Sequence, residues 1–257
     1  MRKKIYLLVI ILYATTNVFA QTIFNPKIDR DSLFEKILEK YPDNNSKKEL
    51  KENFYKANNN GKEYLIAVLY DTNYEKKDLI DNYERNQKNL SNLKKEYSKL
   101  VPKNYIVQVT FNNSEILIPK KTISIDIYKI KDGYLNDFIL SDKSNIELIS
   151  SNHNLIYETK KLSEVLEKLK WDEDTLKKIE IKLQLSNCYS IRNGNPSLVQ
   201  FKQIGFGVLS YKFFNENLTN QEIIENNDGC NFIYYKDNVV LVSDNGQDGA
   251  RGALCFP

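Results

Sequence analysis

At Pro102 the hydrophobic period of the chain changes, and that switch does more than any other feature to fix the class of fold. Before it, Leu79, Tyr83, Asn86, Leu90, Leu93, Tyr97 and Leu100 recur in steps of four and three, a heptad seam with one polar member. After it, the segments 105–111 and 122–128 alternate apolar and polar residues with a period of two, as strands with one wet face do. Proline has no amide hydrogen to continue a helix, and it pushes the preceding residue out of the helical region. The expectation is an α+β fold. A helical N-terminal part over 21–101 carries the heptad-patterned long helix. A β-rich region over 102–257 follows, mostly antiparallel sheet with two intervening short helices.

The helical part reads as several segments. Asp29 or Asp31 can cap a helix with Leu33, Phe34, Ile37, Leu38 and Tyr41 on one face, stopped by Pro42. Ser46 can cap a second, with Leu50 and Phe54 inward, broken by the Asn58-Asn59-Asn60-Gly61 run. Residues 63–70 are continuously apolar, and Ala67 and Leu69 favour a helix there over a strand. The long seam is expected to pack on these helices. A self-associating coiled coil is the alternative, for which about three heptads are barely enough.

In the β-rich region, the strand 105–111 is expected to turn at Asn112-Asn113 and return over 115–118. Ile123, Ile125 and Ile127 mark one face of the next strand. Lys131-Asp132-Gly133 is a turn, and 138–140 and 146–149 are short strands. A short helix over 163–169 and another capped by Asp172, with Leu176, Ile179 and Leu183 inward, interrupt the sheet. Asn193-Gly194 is a turn, 203–214 a long strand, and 232–235 with 239–243 a hairpin around Lys236-Asp237-Asn238.

The first twenty residues set the compartment. Arg2, Lys3 and Lys4, an apolar run from Ile5 to Tyr13, and Val18-Phe19-Ala20 have the three-part layout of a secretory signal peptide over 1–20, cut after Ala20. The run is too short to span a bilayer, which needs roughly 20 apolar residues. No transmembrane segment is expected once the signal is removed. Cleavage takes Arg2, Lys3 and Lys4 from 37 basic residues and leaves 34, equal to the 34 acidic ones. A nucleic-acid partner is therefore not expected, because such binding needs surplus cations to displace phosphate counterions.

Three cysteines in an oxidising compartment read as one disulfide and one leftover thiol. Cys230 and Cys255 flank the last hairpin, so their pairing would staple it, and Cys188 would remain the free thiol. The closed loop of about 26 residues would contribute roughly 3–4 kcal/mol in the chain-entropy model. The alternation around Cys188 places it on a semi-exposed face with Ser190 and Arg192, so pairing with Cys230 or Cys255 is the alternative.

Signals for chemistry are weak. His153 is the one histidine, in the loop-like stretch 151–154, which excludes a His-rich metal site. A Cys188–His153 dyad or a Ser-His-Asp hydrolase would both have to use it, and no Gly-x-Ser-x-Gly elbow is present. Asp244-Asn245-Gly246-Gln247-Asp248-Gly249 matches a calcium loop poorly, since Cys255 stands where glutamate belongs. Among acidic residues, Asp126, Glu147 and Glu158 stand out no more than others as a glycosidase pair. Gly205-Phe206-Gly207 lacks the helix start of a phosphate loop. No catalytic residue, cofactor or metal ligand is assigned.

The stretch 187–191, the terminal hairpin and the Cys255-Phe256-Pro257 ending are similar to features of exported bacterial proteins, a resemblance that carries no activity to this chain. The reading from sequence is an exported protein, periplasmic or secreted, that binds another envelope or secreted macromolecule without catalysis. The alternatives are a hydrolase using carboxylates or Cys188, or an inhibitor or immunity-type protein. The sequence leaves the oligomeric state open.

Overall fold

A computed structural model describes residues 23–39, 44–70, 76–130, 146–204 and 207–244. The fold is α+β. Helices α1 (Arg30–Glu39), α2 (Asn44–Lys56), α3 (Asn59–Leu69) and α4 (Lys76–Leu100) precede the sheet. The strands are β1 (Ile23–Phe24), β2 (Tyr105–Asn113), β3 (Leu117–Ile118), β4 (Lys121–Ile130), β5 (Ile146–Leu155), β6 (Ser190–Arg192), β7 (Ser197–Ile204), β8 (Gly207–Phe213), β9 (Phe232–Lys236) and β10 (Val239–Asp244). Helices α5 (Lys160–Leu169) and α6 (Glu173–Leu185) lie between β5 and β6, and the short α7 (Asn220–Glu225) lies between β8 and β9. Among the described residues no helix is long and apolar enough to cross a membrane.

Eight strands form one antiparallel sheet in the order β5-β4-β2-β6-β7-β8-β10-β9. One face is apolar: Val107, Val109, Ile123, Ile125, Ile127, Ile191, Val199, Tyr211 and Leu241 are all at most 1% exposed. They share a core with Leu79, Tyr83, Leu90, Leu93 and Tyr97 of α4 and with the buried stripes of α5 and α6. Each such Leu or Ile contributes roughly 1.5–3 kcal/mol on burial.

The heptad seam therefore packs inside the molecule, but not where expected. Its rings meet the sheet: Tyr83 lies 5.8 Å from Tyr211 and 6.2 Å from Phe213, centroid to centroid. The Tyr97 hydroxyl donates to the Val107 carbonyl at 2.9 Å. The preceding helices form a separate cluster around Phe34, Ile37, Phe54 and Ile66, with Phe34 and Phe54 stacked at 3.8 Å. The physical reason is capacity. A helix of 25 residues is about 38 Å long, and the sheet offers a far longer apolar surface than the short helices do. The seam also drifts. Asn82, not Asn86, is the fully buried polar member, and Leu100 is 38% exposed.

Local rules hold at most helix ends. The Asp29 carboxylate accepts from Ser32 N at 2.6 Å, and Asp172 caps α6 by accepting from Thr175 N. Asn58 caps α3, so the 63–70 run is helical to Leu69. Helix α2 begins at Asn44, two residues ahead of the expected Ser46 cap.

Several strand expectations are corrected. Residues 115–118 do not return along β2. That place belongs to β4, from Asn113↔Lys121 to Tyr105↔Lys129, while β3 leaves the sheet and pairs with β1. This excursion carries Ile116 into the N-terminal helical cluster. The long strand expected over 203–214 is instead divided between two antiparallel strands: Gln203 and Ile204 end β7, Gly207–Phe213 form β8, and Ile204 pairs with Gly207. Strand β5 runs through Leu155, so His153 is on a strand rather than in a loop. The expected turn at 131–133, the strand 138–140 and the loop 245–249 lie outside the described residues.

Candidate functional site

The polar face of the sheet carries the arrangement of most chemical interest. Cross-strand neighbours share a face, and the registers link one residue from every strand into a single rung. It runs Ser151, Asp126, Gln108, Arg192, Leu198, Lys212, Val240 and Tyr234, from β5 to β9. A second rung beside it holds Ser124, Thr110, Ser190, Gln200, Ser210, Val242 and Phe232. The face thus divides into an exposed polar end at β5, a middle with two cations, and an apolar end. There Val240 and Val242 form a small core with Leu218, against which Ile223 of α7 packs.

At the polar end, Ser151 Oγ donates to Asp126 Oδ1 at 2.6 Å and lies 3.0 Å from His153 Nε2. Serine, histidine and aspartate thus come together, which sequence reading missed. The available signal was the Ser151/His153 spacing of two on a strand, which places both side chains on one face. The order is wrong for nucleophilic catalysis. A triad needs histidine between serine and aspartate, so that the imidazole takes the hydroxyl proton. Here serine occupies the middle and its proton is given to the carboxylate. The group is a surface hydrogen-bonding cluster on an exposed strand.

In the middle, Arg192 and Lys212 are 9% and 8% exposed. They sit two strands apart, about 10 Å between backbones. Burial disfavours the charge on both, and for Lys212 the nearby Arg192 adds to it, lowering its pKa to about 8 despite a smaller pull from Asp228. The Lys212 ammonium lies 4.0 Å from the centroid of the Phe232 ring, a cation–π contact. Among the described residues it makes no ion pair. Ser190 and Ser210, on the adjoining rung, are 0% and 2% exposed, and Ser190 shares a 2.8 Å hydrogen bond with Thr110.

Cys188 is a free thiol, but the semi-exposed position expected from its alternation is corrected. It is 7% exposed and belongs to the helix-side core. Its strand, β6, begins only at Ser190, so alternation does not extend back to it. The sulfur donates to Ser186 O at 3.3 Å, and burial pushes the thiol pKa up. A nucleophilic cysteine needs the opposite shift. His153 is on the outermost strand β5 and exposed, on the other side of the sheet, so no Cys188–His153 dyad forms. Cys255 lies outside the described residues, and with it the Cys230–Cys255 pairing.

The acidic candidates are dispersed. Asp126 is engaged by Ser151, Glu147 is exposed on β5 opposite Lys129, and Glu158 sits in a left-handed turn with φ 62°. Among the described residues the most buried carboxylate is one that sequence reading passed over, Glu180 on α6, 5% exposed. It accepts from Tyr157 Oη at 3.0 Å and Gln184 Nε2 at 3.2 Å, and it pairs with Lys121. Burial and the Glu180 charge push the Tyr157 pKa up. Every partner is supplied from within, so this cluster clamps α6 to the sheet. Among the described residues, no group of three or more histidine, cysteine or acidic side chains could hold a metal.

No protein-family model matches this chain, and neither a curated protein nor a solved structure matches it.

Proposed function

We propose that the protein is an exported, non-catalytic binding protein and that the polar rung of its sheet is the recognition surface. The observation that carries this reading is the alignment of His153, Ser151, Asp126 and Gln108 beside two buried cations on one face. Such a surface offers donors, acceptors and charge in fixed positions on strands, and rigid placement lowers the ordering that binding requires. The partner that fits is another envelope or secreted macromolecule bearing anionic groups, since the deeper half of the rung is cationic. Export rests on the N-terminal signal over 1–20. A Cys230–Cys255 disulfide is part of the proposal and would tether the chain beyond β10 to the segment before β9.

The test is affinity capture from the native envelope with the wild-type chain, an Asp126→Ala/Ser151→Ala variant and a Lys168→Ala control on α5. The proposal expects a partner that the wild type and the control both retain and the rung variant loses. A partner held equally by all three would contradict it, as would loss of an enzymatic activity on changing Ser151.

A further inference from the structure

We propose that the outer face of α4 and α6 docks on an anionic lipid surface. This face lies across the sheet from the polar rung, so the two surfaces stand or fall separately. The helices lie side by side. Asn82 donates to Ser186 O at 3.2 Å, Asn89 donates to Leu185 O at 2.9 Å, and Glu96 pairs with Lys182 at 2.5 Å. Those three residues recur at heptad spacing and mark the side of α4 turned to α6. Leu79, Tyr83, Leu90, Leu93 and Tyr97 turn to the sheet. At about 100° per residue, the side left to solvent carries Arg85, Lys88, Lys95 and Lys99, all exposed. On α6, Leu176, Ile179, Glu180 and Leu183 supply the inward stripe. Its outer side carries two further apolar residues one turn apart, Ile181 and Leu185, 54% and 61% exposed. Exposed Lys178 precedes them. Single exposed aliphatics are ordinary, but an adjacent pair rimmed by charge marks an interaction surface.

The charge of this face is one-sided. Over residues 21–257 basic and acidic side chains balance at 34 each, yet here cations outnumber acids. The Lys182 ammonium holds the Glu96 carboxyl below its usual range, and Lys99 and Lys95 add to the pull. Asp174 lies 3.6 Å from Lys177. With those two acids engaged, Asp81 is set against Arg85, Lys88, Lys95, Lys99 and Lys178. A lipid surface uses both halves of the pattern. Lysine and arginine heads reach the phosphates while their stems lie along the hydrocarbon boundary. Aliphatic side chains enter that boundary from the same helix face. A soluble polyanion would use the cations and leave Ile181 and Leu185 in water.

Co-flotation with vesicles tests the proposal. Vesicles of phosphatidylcholine alone are compared with vesicles of phosphatidylcholine mixed with phosphatidylglycerol. The wild-type chain should float with the mixed vesicles, stay behind with the neutral ones, and be released by salt. The triple variant Lys95→Gln/Lys99→Gln/Lys178→Gln should lose about fivefold in affinity per lysine, roughly a hundredfold together. Ile181→Asn/Leu185→Asn, which keeps every charge, should lose about tenfold or more. No binding to the mixed vesicles overturns the proposal, as does equal binding to both kinds. Loss in the lysine variant with none in the apolar variant also overturns it, because the face is then a site for polyanions in general. Should a variant fail to fold, a polarity-sensitive dye replaces it, carried at Asn92→Cys on this face or at Ile224→Cys on α7, across the sheet. The dye at position 92 should shift to the blue on mixed vesicles and the dye at 224 should not. Equal shifts, or none at 92, overturn the docking face.

Discussion

Asn82 of α4 and Tyr211 of β8, 129 residues apart in sequence, share a buried hydrogen bond of 3.0 Å from Asn82 Nδ2 to the tyrosine oxygen. Tyr211 in turn donates to Leu79 O at 2.8 Å, and Asn82 Nδ2 also donates to Ser186 O at 3.2 Å. One polar node thus ties the long helix, the sheet and the end of α6. Tyr211→Phe removes the donor to Leu79 O and an acceptor of Asn82 without opening a cavity. The expected loss is about 1–3 kcal/mol, measured by urea unfolding. A loss below about 0.5 kcal/mol would mean that the node contributes little.

Leu93 is 1% exposed in the core between α4 and the sheet. Leu93→Ala should destabilise by about 2–5 kcal/mol. Because the seam is covered by the chain's own sheet, the melting temperature should not change on dilution. A melting point that falls with dilution would revive the coiled-coil dimer.

Lys212 makes stability depend on pH in a defined direction. Its folded pKa is lowered to about 8 from an ordinary value of 10.5. Between those values the unfolded chain binds the proton more tightly, so stability rises with pH across that window. Below it the buried charge is a constant penalty. Tyrosines with raised pKa values, Tyr211 among them, act the opposite way as their unfolded forms ionise near 10. The check is the difference between wild type and Lys212→Met in low-salt urea unfolding. The variant should be the more stable at pH 7, and its lead should shrink between pH 8 and 10. A lead that grows with pH would contradict the assignment.

Cys188 should resist a thiol reagent in the native protein and react once the chain is unfolded, because burial both raises its pKa and blocks access. Peptide mapping without reductant should recover a Cys230–Cys255 cross-linked peptide. A cross-link to Cys188 would contradict both statements.

The division at Pro102 was legible because helix and strand periods differ, and that difference survives without any tertiary information. The isoleucines of β4 were legible for the same reason. What the seam packs on was not, because a heptad marks an apolar stripe and says nothing of its partner. Residues 115–118 read as a returning strand since their pairing with β1 joins segments some ninety residues apart. The polar rung was the least legible part. Alternation assigns Asp126, Gln108 and Ser190 to a face, yet their neighbours depend on register, which alternation does not specify. Cys188 was misplaced by extending a strand's phase two residues beyond its start. Ser151 and His153 were hidden by four polar residues that resemble a loop and are an exposed edge strand.

The most direct test of the recognition surface is site-specific photo-crosslinking in cells that export the protein. A photo-reactive residue at Gln108, on the polar rung, should form a discrete covalent adduct with an envelope or secreted macromolecule. The same residue at Lys168, exposed on α5 on the far side of the sheet, should not. Adducts at Lys168 and none at Gln108 would contradict the account.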